Sequence, residues 1–224
     1  MGELKIFFNN ERFEKYYDYL IAENHKYNLT AITEREEVFV KHFEDSITAV
    51  DLIPNGANVL DVGAGAGFPS VPLKIMRDDI IVTMLDGVGK KVDFLNRLSK
   101  LLSLNGIEAI HTRVEDFVSS GSRLKYDVVV ARAVASLNTL AEYALPFVKT
   151  GGVFIAYKAS GIDDEIKNAQ NALDILGGKI TQIKPVVLQC KGEQISRNLV
   201  AITKIAETPS KYPRKGNKPR LQPL

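Results

Sequence analysis

Residues 58–178 alternate short apolar runs with longer amphipathic stretches, and this alternation restricts the fold more than any other feature of the sequence. Asn58–Val62, Ile80–Leu85, Ile107–Thr112, Asp127–Ala131 and Val153–Tyr157 read as strands. Helices are predicted to begin near Phe68, Lys90, Leu137 and Asp163, with stops at Gly106, Gly151–Gly152 and Gly177–Gly178. Strands separated by helices imply a parallel sheet with both faces covered, because each crossover lays a helix against the sheet. The rhythm breaks after Gly178. Lys179–Leu188 and Asn198–Ile205 are strand-like, and the polar segment Gln189–Arg197 between them leaves no room for a helix, so an antiparallel hairpin is expected. The fold expected is α/β and Rossmann-like, with a mostly parallel seven-stranded sheet and a C-terminal antiparallel hairpin.

Ahead of the sheet, Phe13, Tyr17, Leu20 and Ile21 share a helical face. Thr33 with Glu36 forms a capping-box pattern before Val38, Phe39, Phe43 and Ile47. Two amphipathic helices are therefore expected as an N-terminal extension over residues 1–57, followed by the sheet-forming unit at 58–207. The segment 208–224 holds four prolines and carries Lys211, Arg214, Lys215, Lys218 and Arg220 with no acid. It reads as an extended cationic arm suited to tracking phosphates and separable from the body. The net charge of +2 conceals this asymmetry, since residues 1–207 hold 24 basic and 27 acidic side chains.

Cys190 is the sole cysteine, which excludes an internal disulfide and a cysteine zinc cluster. His25, His42 and His111 show no metal-ligand spacing and read as capping or core-edge groups, so no metal is expected. The apolar start Met1–Phe8 is too short for a signal peptide, and no run approaches the roughly 18 apolar residues of a membrane span. The reading is a soluble, cytoplasmic, monomeric protein with no membrane partner.

The sharpest chemical signal is Val59-Leu60-Asp61-Val62-Gly63-Ala64-Gly65-Ala66-Gly67-Phe68-Pro69, a strand running into a glycine loop and a helix start. Such a loop lets backbone amides approach a ligand. Its glycines at 63, 65 and 67 depart from the dinucleotide spacing G-x-G-x-x-G, and no phosphate-binding G-x-x-x-x-G-K-[ST] occurs. Asp61 is awkward beside a phosphate but suits the ammonium of a methionine moiety. Asp86, 23 residues after Gly63, stands where a carboxylate accepts from ribose hydroxyls, and Glu115 or Asp116 follows the third strand where an adenine edge would lie. These acids favour S-adenosylmethionine, and five parallel-type strands plus a hairpin match the common methyltransferase sheet. None of the eight tyrosines has a lysine four residues later, so hydride-transfer chemistry finds little support.

The end of the fourth strand, Asp127–Arg132, usually faces the methyl-accepting atom in such a fold. There is no Asn/Asp-Pro-Pro-aromatic tetrapeptide for an exocyclic amine, and Cys190 is remote in sequence, so an acceptor that is already nucleophilic fits best, guanine N7 being one. Such an atom needs no general base, and catalysis can rest on positioning and electrostatics. Arg132 is the candidate catalytic residue, anchoring substrate or cofactor. Two other classes stay open on these residues: an RNA-associated protein that binds S-adenosylmethionine without catalysis, and a small-molecule methyltransferase with an incidental tail.

Several motifs in consistent order go further. Asn28-Leu29-Thr30-Ala31-Ile32-Thr33, Val40-Lys41-His42-Phe43 with Asp45-Ser46, the loop Asp61–Pro69, Arg113-Val114-Glu115-Asp116-Phe117, Arg132-Ala133-Val134-Ala135 and Tyr212-Pro213-Arg214-Lys215 resemble the glucose-inhibited division protein B family. That resemblance implies a class I methyltransferase acting on N7 of a guanosine in 16S rRNA, with the small ribosomal subunit as partner and S-adenosylmethionine as donor. It implies cofactor positions at Gly63, Phe68, Val114, Glu115 and Arg132, with Asp86 as the acid after the second strand. Asp61, Gly65 and Gly67 complete the candidate cofactor set, and the five tail cations form the candidate RNA-binding set.

Overall fold

The computed structural model of the chain describes residues 10–118, 121–132 and 135–224. Met1–Phe8 and the pair Ala133-Val134, both used above, lie outside the described residues. Helix α1 (Glu11–Tyr27) starts where Asn10 accepts from the Arg12 amide at 3.0 Å and stops where Asn28 turns left-handed at φ 52°. Glu11 and Glu14 sit in its first turn and His25 and Lys26 in its last, matching the helix dipole. Its buried stripe is Phe13, Tyr16 and Leu20, which rotates the expected face by one residue from Tyr17 to Tyr16.

The second helical region is not continuous. Helix α2 (Arg35–Val38) passes into a π-helical turn, Phe39–Glu44, and then α3 (Asp45–Ile47). Its cap is Glu34, whose carboxylate accepts from the amides of Glu36 and Glu37 at 3.2 and 3.0 Å, in place of the expected Thr33–Glu36 box.

The sheet contains β1 (Asn58–Val62), β2 (Ile81–Asp86), β3 (Ile107–His111), β4 (Tyr126–Arg132), β5 (Val148–Ala159), β6 (Gly178–Cys190) and β7 (Glu193–Lys204). Its order is β3-β2-β1-β4-β5-β7-β6, parallel throughout except for β7, which runs antiparallel to both neighbours. The expected α/β Rossmann-like sheet with a closing hairpin is present. The hairpin is longer than its polar composition suggested, because the strands run through most of Gln189–Arg197 and turn only at Lys191–Gly192, where φ is +51° and +82°. A second difference concerns Gly151–Gly152, which does not end a helix. The pair lies inside β5, in a bulge between the register pairs Tyr126↔Val148 and Val128↔Val153.

Helices α4 (Ser70–Met76), α5 (Gly89–Leu101), α6 (Val114–Phe117), α7 (Leu137–Ala144) and α8 (Asp163–Leu176) connect the strands. One apolar cluster joins α1 and the π-turn to α4, α5 and one sheet face, through Phe13, Tyr16, Phe43, Phe68 and Phe94. The other packs α7 and α8 on the opposite face and takes in Tyr212. Residues 208–224 are not an extended arm. Tyr212, Pro213 and Pro219 are buried, and Lys218–Leu221 forms a short helix, α9. Among the described residues no helix is long and apolar enough to cross a membrane.

Candidate functional site

The strand order reverses direction between β1 and β4, and in open sheets of this kind ligands bind beyond the carboxyl ends of the strands at that point. Two clefts open along this edge. The first, of about 300 Å³, is lined by Gly63, Asp86, Val114 and Glu115 together with Tyr143 of α7 and Asn217 and Arg220 of the C-terminal segment. The glycine loop is tied down beside it: the Gly63 and Ala64 amides both donate to the Leu85 carbonyl, at 2.9 and 3.0 Å. Gly63 has φ +79°, and a Cβ built on Gly65 would meet nothing closer than the Gly63 carbonyl at 3.9 Å, so the loop presents bare backbone to open space.

Asp86 accepts from the Gly65 amide through one oxygen and from the Val88 amide through the other, both at 2.9 Å. A carboxylate has about four lone-pair sites, which leaves one on each oxygen for a pair of ligand hydroxyls. Asp61 lies under the loop with no solvent exposure. Its Oδ2 accepts from the Ser70 hydroxyl at 2.6 Å, while its Oδ1 is buried with no hydrogen-bond partner. Burial lifts its pKa to about 7, opposed by the Ser70 hydrogen bonds and by Arg132. A buried carboxylate oxygen without a donor is costly unless a donor arrives.

The second cleft lies where β4 and β5 end and is lined by Lys41, His42, Asp45, Arg132, Lys158 and Arg197 among others. Arg132 belongs to this cleft and not to the first. Its guanidinium donates to Asp45 Oδ2 and His42 Nδ1, both at 2.9 Å, and to the Lys41 carbonyl at 3.2 Å, and it stands 5.0 Å over the Phe68 ring. The π-turn matters here, since the widened turn aims the Lys41 carbonyl at a partner outside the helix. Arginine can only donate, so His42 Nδ1 is the acceptor and its Nε2 carries the proton toward the Thr30 hydroxyl at 2.8 Å. Desolvation first, and the Arg132 charge second, push the His42 pKa down to about 3, which keeps the ring neutral.

Of the candidate cofactor residues, the fold brings Gly63, Asp86, Val114 and Glu115 into the first cleft, with Gly65 bonded to Asp86 at its rim. Phe68 and Gly67 face elsewhere. The Phe68 ring is buried in a stack with Tyr16 and His42, at centroid distances of 5.4 and 4.5 Å. Gly67 backs onto α1, where an added Cβ would come within 2.7 Å of the Tyr16 hydroxyl and 2.8 Å of Val71, at φ +99°. Tyr16 in turn donates to the Ala66 carbonyl, so α1 braces the loop from behind. Gly67→Ala is therefore expected to cost about 2 kcal/mol through left-handed strain and overpacking, lowering Tm by roughly 4–8 °C in thermal unfolding.

The tail cations divide. Lys211, Lys215 and Lys218 are exposed, whereas Arg214 is withdrawn onto Glu142, a fully buried acid of α7. Arg214 thus has a structural contact of its own, while Arg220 lines the first cleft. The partners Asp45, Glu142, Tyr143 and Asn217 were assigned no role from sequence, and His42 only that of a capping or core-edge group. Only His42 and Asp45 carried a signal, as part of a motif without a function. Among the described residues no group of three or more His, Cys, Asp or Glu side chains could hold a metal ion.

This sheet order, with a glycine turn after β1 and an acid ending β2, is that of the Rossmann-like class of methyltransferases. The chain belongs to the rRNA small subunit methyltransferase G family, whose model matches residues 9–201. It is 49% identical over 215 residues to the ribosomal RNA small subunit methyltransferase G of Desulforamulus reducens, covering 95% of this chain and 89% of that one. With the protein of the same name from Exiguobacterium sp. it shares 46% identity, covering 95% and 90%. Among solved structures, M. jannaschii TYW2 in complex with AdoMet shares the fold at a TM-score of 0.57 and 17% identity, covering 73% of this chain and 76% of that one. A precorrin-6y C5,15-methyltransferase from Geobacter metallireducens does so at 0.54 and 13%, covering 73% and 87%.

Proposed function

We propose that the protein transfers a methyl group from S-adenosylmethionine to N7 of a guanosine in 16S rRNA, working in the cytoplasm on the small ribosomal subunit or its RNA. The observation that carries this reading is the unpartnered Asp61 Oδ1 under an open glycine turn, beside an Asp86 carboxylate with one lone pair free on each oxygen. That donor set fits a ligand with an ammonium at one end and a ribose diol at the other. S-adenosylmethionine supplies a methyl group on a sulfonium, which an exposed ring-nitrogen lone pair can accept without losing a proton first. The residues of the second cleft agree with such an acceptor. Asp45 Oδ2 is paired with Arg132, Glu165 with Lys158 at 2.6 Å, and His42 is neutral with both ring nitrogens engaged, which supports a positioning role for these groups. Lys41, Arg132, Lys158 and Arg197 give the cleft an excess of positive charge for a polyanion. Arg132 holds the second cleft against the glycine loop through Phe68, which makes it a positioning residue for the reaction.

Small subunits from cells lacking this enzyme, incubated with the protein and labelled S-adenosylmethionine, are expected to gain one 7-methylguanosine in 16S rRNA. With Lys211, Lys215 and Lys218 engaging about three phosphates, RNA affinity is expected to fall with a log-log salt slope near −2, at ~0.7 per phosphate. Methylation of a small metabolite with no response to salt would overturn the reading.

A further inference from the structure

The candidate cofactor cleft is closed by residues that no strand-loop motif supplies. Asn217 and Arg220 line it beside Tyr143, although they lie about 75 residues beyond Tyr143 in sequence and outside the matched family region, which ends at residue 201. The segment carrying them is fastened at every turn. Arg123 donates to the carbonyls of Thr208 and Tyr212, at 2.8 and 2.6 Å. The amide and guanidinium of Arg214 make four hydrogen bonds to the Glu142 carboxylate, between 2.6 and 3.1 Å. The buried Thr139 hydroxyl donates to the Pro219 carbonyl at 3.1 Å, directly before Arg220. A cationic tail selected only to trail along RNA has no need of a fully buried acid to hold its backbone against α7.

We propose that residues 212–221 form a wall of the S-adenosylmethionine site, in which Arg220 and Asn217 contact the adenosine half of the cofactor. The inference rests on the first cleft being the cofactor site. The chemistry suits an adenosine: the flat guanidinium of Arg220 and the ring of Tyr143 each offer a face for stacking on a base, and the Asn217 amide offers both a donor and an acceptor to its edge. Asp86, the acid read as ribose partner, lines the same cleft. Because the wall belongs to a docked segment and not to the sheet, cofactor binding and tail docking are one linked equilibrium: the ligand favours the docked tail, and a weakened tail weakens the ligand.

Calorimetric titration with S-adenosylhomocysteine tests this without turnover. The full chain is expected to bind, and Arg220→Ala to bind at least 5-fold more weakly. Trypsin cleavage after the exposed Lys215 gives a second reading, expected to slow in proportion to occupancy of the site. Equal affinity in the full chain and Arg220→Ala, together with cleavage indifferent to ligand, overturns the tail's role while leaving the cofactor site standing. Failure of the full chain itself to bind overturns both.

Discussion

Asp61→Asn is expected to make the protein more stable and the cofactor bind less tightly. The carboxyl group moves from an ordinary unfolded value near ~3.9 to about 7 in the fold, chiefly through burial. A raised acid pKa means that the folded state holds a proton the unfolded state has released, so stability falls as pH rises from about 4 to about 7 and stays lowered above that. The shift corresponds to roughly 2–4 kcal/mol at pH 8, which the neutral amide would return as a higher Tm. Binding runs the other way. Removing one partner of a buried charge contact costs about 2 kcal/mol or more, so affinity for S-adenosylhomocysteine should drop at least about 30-fold. In the wild type, affinity should fall below pH 7 as Asp61 takes up its proton, and fall again above about 8 as the ligand's amino group loses its own. Calorimetry across pH 5.5–9 should show the acid limb in the wild type and not in Asp61→Asn. An acid limb that survives the substitution would remove Asp61 from the site.

Arg214→Ala is expected to destabilise the fold by about 3 kcal/mol, lowering Tm by roughly 6–12 °C. Glu142 has no exposure, and loss of the guanidinium strands its charge beside α7. Arg214→Lys restores the charge but not the forked geometry, so it should recover only part of the loss. A mobile RNA arm would behave otherwise, with Arg214→Ala leaving Tm unchanged and reducing RNA affinity alone.

Periodicity carried most of the fold. Asn58–Val62 and the starts of α7 and α8 fall where the sequence places them, because local apolar pattern and turn residues agree there with the tertiary structure. Disagreements arise where one residue type has two meanings. Gly151–Gly152 looks like a helix stop, yet it serves a strand bulge in which an added Cβ on Gly152 would meet the Asp127 carbonyl at 2.7 Å. Four prolines in seventeen residues look like an extended arm, yet two of them are buried because Glu142, an acid with nothing unusual around it in sequence, waits on α7. At the site, Gly63, Asp86 and Glu115 were legible since motif spacing sets them at strand ends. The burial of Asp61 and the engagement of Arg132 by His42 and Asp45, about 90 residues earlier, were not, because no local pattern encodes a contact across that separation.

The N-terminal brace behind Gly67 has a consequence for how the protein is made. The loop at 63–67 is backed by α1, Arg132 is received by a π-turn at 39–44, and the first cleft is lined in part by residues 217 and 220. During synthesis the glycine loop therefore emerges early but gains its lining last, and a chain interrupted anywhere before Arg220 leaves the ribosome with its pocket open on one side.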